Sequence, residues 1–239
     1  MSVRAVLFDA GNTLLFLDYG RLAAGVTPVA GMRLTAAGLA AAAGPAAREV
    51  EGGAASERER AARYLDALFR LAGVARERLR DVAAALRRLH HERHLWSGVA
   101  PRTVEALRRL RAAGLRLGVV SNSDGGVEEA LTAAGLRSSF DVVVDSASAG
   151  VEKPDPRIFR VALAALGVAP AEALYIGDIY DVDVAGARAA GLRAALVGPS
   201  GSHAPDDVTV APSVAELIEL LVRRGELSLD PVGTRDSSR

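Results

Sequence analysis

The strongest constraint on the fold is a short apolar run near the amino terminus, which is followed directly by an aspartate. In residues 3–15, VRAVLFDAGNTLL, the run at 6–8 does not alternate with polar residues. Such a run is typical of a strand buried on both faces of a parallel sheet. Asp9 then lies at the carboxyl end of that strand, where open α/β sheets bind their ligands, and Gly11 lets the backbone turn tightly around it. We therefore predict that Asp9 is a nucleophile.

From residue 101 onward, helical and strand patterns alternate, and glycines end several of the helices. This alternation predicts an α/β fold, a Rossmann-like doubly wound parallel sheet with helices on both faces. The predicted strands are 115–120, 140–144, 173–176 and 193–197. The predicted helices are 103–113, 126–134, 156–166, 182–190 and 213–224.

Residues 18–97 have a different character, because they contain no strand-like alternation of apolar and polar residues. Apolar residues recur at helical spacing in 76–95, and an alanine-rich stretch at 34–47 is broken by Gly44-Pro45. This block predicts an all-helical cap inserted into the core. The predicted divisions are a core of 1–17 and 98–224, a cap of 18–97, and a polar, disordered tail of 225–239.

Composition argues against several classes of function. The 239 residues carry a formal net charge of zero, which gives no electrostatic reason for a nucleic-acid or membrane-surface partner. The absence of cysteine excludes disulfides and thiolate metal sites. No apolar run reaches the roughly 18 residues of a membrane span, and the amino terminus lacks a signal-peptide pattern. We expect a cytoplasmic protein whose partner is a small molecule.

Polar residues follow each predicted strand of the core, at the edge where the carboxyl ends of parallel strands meet. In chain order these residues are Asp9, Ser121, Asn122, Asp145, Lys153, Asp178, Asp181 and Asp183. Several carboxylates gathered in one place require a cation to neutralise them. Mg²⁺ prefers oxygen ligands and suits a site that also holds phosphate. The sequence therefore predicts a magnesium and phosphate site at this edge.

Three rare residues support the same location. The chain is rich in arginine, yet it has one lysine, Lys153, and two asparagines, Asn12 and Asn122. The simplest account is that these positions require the chemistry of their side chains. All three lie next to candidate site residues.

Four stretches, each after a predicted strand, resemble in order the four motifs of the haloacid dehalogenase-like hydrolase superfamily. They are FDAGNT at 8–13, VVSNS at 119–123, EKPDPRIF at 152–159 and IGDIYDVDVAGARAAG at 176–191. The helical insertion between the first two motifs is similar to the C1-type cap of this family. The resemblance implies a hydrolase, specifically a Mg²⁺-dependent phosphatase that acts on a small phosphorylated metabolite through an aspartyl-phosphate.

The resemblance also implies a role for each matching residue. Catalysis is assigned to Asp9, Ser121 and Lys153, and binding of the phosphoryl group to Ser121, the backbone at Asn122, and Lys153. Binding of Mg²⁺ is assigned to Asp9, the carbonyl of Gly11 and Asp178, with Asp183 supporting the metal. These roles agree with phosphoryl transfer, which depends on positioning and charge stabilisation more than on covalent assistance.

Gly11 departs from the family pattern. Most phosphatases of the family have an aspartate there, which protonates the leaving group and later activates water. General acid–base catalysis contributes about 10²- to 10⁴-fold, so its loss favours substrates with good leaving groups, such as acyl phosphates. Asp124 or an acid of the cap is a candidate substitute.

Two alternatives to a phosphatase remain open on these residues. One is a non-catalytic protein that binds a phosphorylated ligand or a partner, and the other is a 2-haloacid dehalogenase. Asp178 and Asp183, which a dehalogenase does not need, favour metal and phosphate. The single lysine at 153 argues against complete loss of catalysis.

Three other polar features have structural interpretations beside functional ones. His90 and His94 lie one helical turn apart but lack an evident third metal ligand. Arg21 lies in the predicted link to the cap. For Asp145, capping of the following segment and contact with the site are equally favoured.

Overall fold

The computed structural model describes residues 2–50, 57–198 and 206–229, and it divides into two compact units. One unit comprises the described parts of 1–16 and 99–239, and the other those of 17–98. The predicted tail lies outside the described residues from 230 onward. Before that point Leu227 is buried, and the carbonyl of Glu226 accepts a hydrogen bond from Arg193.

The described residues form the following strands and helices. The strands are β1 (Ala5–Phe8), β2 (Leu15–Leu17), β3 (Trp96–Val99), β4 (Arg116–Ser121), β5 (Val142–Asp145), β6 (Ala173–Gly177), β7 (Arg193–Val197) and β8 (Thr209–Ala211). The α-helices are α1 (Tyr19–Ala30), α2 (Ala36–Val50), α3 (Glu57–Leu71), α4 (Leu79–Glu92), α5 (Thr103–Ala112), α6 (Val127–Ala133), α7 (Ser146–Ala149), α8 (Pro156–Leu166), α9 (Ala185–Ala189) and α10 (Val214–Arg223). Short 3₁₀ turns occupy Arg76–Arg78, Arg137–Ser139 and Pro170–Glu172, and a π-helical turn occupies Tyr180–Val184.

The first unit is built on a six-stranded sheet in the order β5-β4-β1-β6-β7-β8, and the strand pairs are parallel. Helices flank this sheet, which confirms the predicted α/β fold class. β1 lies inside the sheet, and all four of its residues are fully buried because both faces are covered. Phe8 pairs with Val119 of β4 and with Ile176 of β6, so the carboxyl ends of these three strands lie side by side.

The second unit is helical, and its apolar core is formed by α1–α4. The predicted break at Gly44-Pro45 is wrong, since α2 runs through it. A proline inside a helix removes one backbone hydrogen bond. In α2 this cost is offset by packing, because Leu39, Ala42 and Ala46 are buried on both sides of the proline.

A second difference from the sequence prediction concerns strands. The segment 18–97 was expected to contain none, yet β3 begins at Trp96 and pairs with β2 in a two-stranded sheet. Four half-buried residues, WSGV, are too short a stretch to show a clear alternation. No helix in the described ranges has the length and apolar character that crossing a membrane requires.

Candidate active site

Lys153 lies at the centre of a buried cluster at the carboxyl edge of the sheet. Its Nζ donates hydrogen bonds to Oδ1 of Asp9 at 2.6 Å and to Oδ1 of Asp183 at 2.7 Å. None of the three side chains is more than 10% exposed. Two carboxylates this close would repel each other, so the ammonium between them supplies the charge that makes their burial tolerable.

The backbone fixes Asp9 at this edge. Its N–H donates to the carbonyl of Ile176 at 2.8 Å, which continues the pairing of β1 with β6. The chain then turns, with Asn12 donating its backbone N–H to Leu15 at 2.8 Å. Asn12 has a φ of 56°, in the left-handed region that asparagine tolerates better than most residues other than glycine. One of the two asparagines is therefore explained by backbone conformation.

The other asparagine holds the lysine. The side-chain oxygen of Asn122 accepts the backbone N–H of Lys153 at 2.8 Å, and its amide nitrogen donates to the Lys153 carbonyl at 3.0 Å. The next residue, Ser123, exchanges two backbone hydrogen bonds of 3.1 Å with the hydroxyl of Ser146. The loop after β4 is thus tied to two neighbouring segments, and Ser121 lies buried at its start.

Asp183 organises the loop after β6. Its Oδ2 accepts the backbone N–H groups of Asp178 at 3.1 Å and Ile179 at 2.9 Å, while its Oδ1 faces Lys153. Both oxygens therefore have partners within the protein. Such an arrangement suits a residue that orients Asp178 and leaves the direct metal contact to others.

Gly177 makes that arrangement sterically feasible. A Cβ atom at this position would lie 2.3 Å from Cγ and 2.4 Å from Oδ2 of Asp183. Ordinary carbon contacts are about 3.5–4.0 Å. Only a residue without a side chain allows the carboxylate to approach the strand end this closely.

Tyr175 is a member of the cluster that the sequence reasoning missed. Its side chain is fully buried in the middle of β6, and its hydroxyl accepts a hydrogen bond from Lys153 Nζ at 3.0 Å. The same hydroxyl has two acceptors for its proton, the carbonyl of Val120 at 3.0 Å and Oδ1 of Asp183 at 3.1 Å. In the sequence, a tyrosine within the apolar run ALYI is indistinguishable from an ordinary core aromatic residue.

Burial and charge fix the protonation states of the cluster. Burial disfavours the ammonium of Lys153, but the negative charges of Asp183 and Asp9 outweigh it and hold the pKa of Lys153 well above its usual value. Burial, followed by the charge of Asp183, raises the pKa of the Tyr175 hydroxyl well above its usual value. At neutral pH, Lys153 is therefore a cation and Tyr175 a neutral hydroxyl.

The types of donor that follow these strands, carboxylates and a backbone carbonyl, are ones that Mg²⁺ binds. Asp9 and Asp178 follow adjacent, paired strands, and a carbonyl at Gly11 is close in sequence to Asp9. A side chain at Gly11 would meet nothing within 4 Å, so space is open beside it. In the parts of the chain that the structure describes, no group of three or more His, Cys, Asp or Glu residues could hold a metal ion. Mg²⁺ does not require one, because it is commonly bound by one or two carboxylates together with substrate phosphate.

Asp145 and Arg21 have structural contacts. The carboxylate of Asp145 accepts the backbone N–H groups of Ala147 at 3.0 Å and Val127 at 3.4 Å, which caps α7 and α6. Arg21 donates to the backbone carbonyls of Leu89 and Arg93 at the end of α4. These contacts agree with the structural roles considered for both residues from the sequence.

The family model for haloacid dehalogenase-like hydrolases matches residues 3–191. The mouse haloacid dehalogenase-like hydrolase domain-containing protein 3 is 39% identical over 160 residues, which cover 64% of this chain and 63% of that protein. The phosphoserine phosphatase of Thermus thermophilus is 40% identical over 144 residues, which cover 60% of this chain and 55% of that enzyme. The chain thus spans less than two thirds of the length of either relative.

A solved structure is similar over nearly the whole chain. The crystal structure of a HAD phosphatase from Thermococcus onnurineus is 25% identical, with a TM-score of 0.58. The match covers 95% of this chain and 99% of that one. Its fold therefore agrees with the parallel sheet described above.

Proposed function

The chain belongs to the haloacid dehalogenase-like hydrolase family, and we propose that it is a Mg²⁺-dependent phosphatase that forms an aspartyl-phosphate on Asp9. The observation that carries this proposal is the ammonium of Lys153, held between Asp9 and Asp183 at the carboxyl edge of the sheet. A fixed cation beside a nucleophilic carboxylate suits attack on a phosphoryl group, where like charges must meet. The phosphoserine phosphatase relative supports a small phosphorylated metabolite as the substrate.

In the proposed reaction, a carboxylate oxygen of Asp9 attacks phosphorus, and the bond from phosphorus to the leaving oxygen breaks with its electron pair. Lys153 neutralises charge on the phosphoryl group, while Ser121 and the backbone at Asn122 bind its oxygens. Water then attacks phosphorus, which releases inorganic phosphate and restores the carboxylate of Asp9. The hydrogen bonds from Asn122 to the backbone of Lys153 support this placement of the cation.

Asp9, the carbonyl of Gly11 and Asp178 are the proposed ligands of Mg²⁺. When bound, the ion neutralises phosphoryl charge and helps to orient the substrate. Asp183 keeps the backbone of Asp178 in place through the hydrogen bond to its N–H. Asp183 thereby supports the metal ligand while it also holds Lys153.

Gly11 sets the preferred leaving group in this proposal. A glycine has no proton to give to the leaving oxygen, so substrates whose leaving group is stable as an anion react fastest. Acyl phosphates and aryl phosphates belong to this class. Metabolites with an alkoxide leaving group require an acid from elsewhere, for which Asp124 is the candidate.

Hydrolysis of p-nitrophenyl phosphate and acetyl phosphate with Mg²⁺ tests the proposal. We expect phosphate release from both by the unmodified protein and none by Asp9→Asn. Asp145→Asn is the matched control, because it changes another buried aspartate at a strand end. An asparagine oxygen can still accept the N–H of Ala147 and cap α7, and only the longer contact with the N–H of Val127 at 3.4 Å is lost. Full activity of Asp9→Asn would show that Asp9 is not the nucleophile.

The same experiment distinguishes the two alternatives. Halide release from a 2-haloacid without added metal indicates a dehalogenase. An intact fold that hydrolyses neither phosphate but binds phosphate-containing ligands indicates a binding protein.

A further inference from the structure

The side chain of Tyr175 places a hydroxyl group inside the apolar core of the first unit, where a polar group is unfavourable unless it forms hydrogen bonds. The residue lies in the middle of β6, between Leu174 and Ile176, and its side chain is fully buried. Burial of a hydroxyl is unfavourable without a hydrogen-bond partner. Here the hydroxyl has three polar neighbours, and one of them is the Lys153 ammonium.

The ammonium has three N–H groups and three acceptors. They are Oδ1 of Asp9 at 2.6 Å, Oδ1 of Asp183 at 2.7 Å and the hydroxyl of Tyr175 at 3.0 Å. A lysine head on a flexible stem has little directional preference of its own. Three acceptors around one ammonium restrain its position more tightly than the two carboxylates alone.

The hydroxyl itself is rigidly placed. The ring of Tyr175 packs edge-on against Phe159 of α8, with centroids 4.9 Å apart and planes at 80°. Its backbone pairs with Leu7 on one side and Ala194 on the other. The hydroxyl proton has two acceptors within reach, the carbonyl of Val120 at 3.0 Å and Oδ1 of Asp183 at 3.1 Å, and with either one an oxygen lone pair is left for Lys153. Residues on packed strands and helices place functional groups more accurately than loops do.

We propose that Tyr175 is a positioning residue, whose hydroxyl holds the Lys153 ammonium in line with the phosphoryl group on Asp9. This role rests on the proposed phosphatase function. Without the hydroxyl, the ammonium keeps its two carboxylates but loses its third fixed acceptor. Lys153 then stabilises the transition state less well, because this stabilisation depends on where its positive charge is placed.

The variant Tyr175→Phe removes the hydroxyl and keeps the ring against Phe159. Because the ammonium loses a fixed acceptor and is held less accurately, we expect kcat for p-nitrophenyl phosphate to fall about tenfold or more. We expect KM to change by less than about twofold, because the effect is on the transition state. Thr103→Val is the matched control, since it removes a buried hydroxyl of the same unit that has no partner in the described ranges.

The single lysine offers a direct readout that needs neither metal nor substrate. Protein labelled with ¹⁵N-lysine has one side-chain ammonium signal, that of Lys153. In the unmodified protein, its protons should show magnetisation transfer to the ring protons of Tyr175. In Tyr175→Phe, we expect a shifted Nζ signal and faster exchange of its protons with water, whereas Thr103→Val should leave both unchanged.

Failure of this proposal is distinguishable from failure of the proposed function. Absence of phosphate hydrolysis by the unmodified protein counts against the function, while the ammonium spectrum still reports on the contact with Tyr175. An unchanged kcat in Tyr175→Phe, or an unchanged Nζ signal, overturns the positioning role. If Tyr175→Phe does not fold, lack of magnetisation transfer between Lys153 and Tyr175 in the unmodified protein overturns it instead.

Discussion

Replacing Gly177 with alanine is expected to disrupt the cluster through a single methyl group. The new Cβ would lie 2.3 Å from Cγ, 2.4 Å from Oδ2 and 2.5 Å from Cβ of Asp183. Because carbon atoms in contact are about 3.5–4.0 Å apart, the carboxylate has to move by about 1 Å. The clash includes the Cβ of Asp183, so rotation of the carboxylate alone cannot relieve it.

The magnitude follows from the contacts that such a movement breaks. Asp183 lies 2.7 Å from Lys153, 2.9 Å from the N–H of Ile179 and 3.1 Å from that of Asp178. A shift of about 1 Å takes these distances past the roughly 3.2 Å limit of good hydrogen bonds. Overpacking costs about 1–3 kcal/mol, and lost hydrogen bonds to a charged group add about 1.5–3 kcal/mol. We expect the free energy of unfolding to fall by about 2.5–6 kcal/mol and kcat to fall about 100-fold.

Denaturant unfolding and p-nitrophenyl phosphate kinetics on the same preparations measure both effects. Gly44→Ala is the matched control, because its Cβ would lie 3.7 Å from the nearest atom, inside α2. A glycine inside a helix is less favourable than alanine by about 0.5–1 kcal/mol, so the control should be slightly stabilised. Equal stability and equal kcat for Gly177→Ala and the unmodified protein would refute the steric reasoning.

Three further outcomes are expected. Asn122→Ala loses both hydrogen bonds to the Lys153 backbone, so kcat should fall about tenfold in the same assay. An unchanged kcat would show that these two hydrogen bonds do not hold Lys153 in its catalytic position. Gly11→Asp places a carboxylate in open space, so the rate for an alkyl phosphate should rise at least about tenfold relative to that for p-nitrophenyl phosphate, and an unchanged ratio would exclude a missing acid as the cause of substrate preference. Removal of divalent metal with a chelator should abolish phosphate release, and Mg²⁺ should restore it, whereas full activity in the chelator would exclude metal dependence.

The sequence predicted the elements whose strand or helix character can be recognised from a local pattern of apolar residues. The run at 6–8 reads as a doubly buried strand because it has no alternation, and in the structure it lies inside the parallel sheet. The sequence did not predict elements that are very short or that depend on packing against other parts of the chain. β3 is only four residues long, and α2 continues through Gly44-Pro45 because its buried face is packed in the second unit.

In the candidate site, too, some residues could be found from the sequence and others could not. Lys153 and Asn122 were singled out by their rarity, and both have specific contacts in the cluster. Tyr175 had no comparable signal, because its residue type is common in buried strands. Its contact with Lys153 arises from the pairing of β6 with β1 and the path of the chain before α8, which no local pattern contains. The roles assigned to the site residues stay predictions, namely those of Asp9, Gly11, Ser121, Asn122, Lys153, Asp178 and Asp183.

The most direct test of the central claim is to identify the phosphorylated residue during turnover. The protein is mixed with acetyl phosphate and Mg²⁺, quenched in acid, digested and analysed by mass spectrometry. We predict one phosphoryl group on the peptide that contains Asp9, and none in Asp9→Asn treated in the same way. Phosphate release by the unmodified protein with no phosphoryl group on Asp9, or undiminished release by Asp9→Asn, would contradict the assignment of Asp9 as the nucleophile.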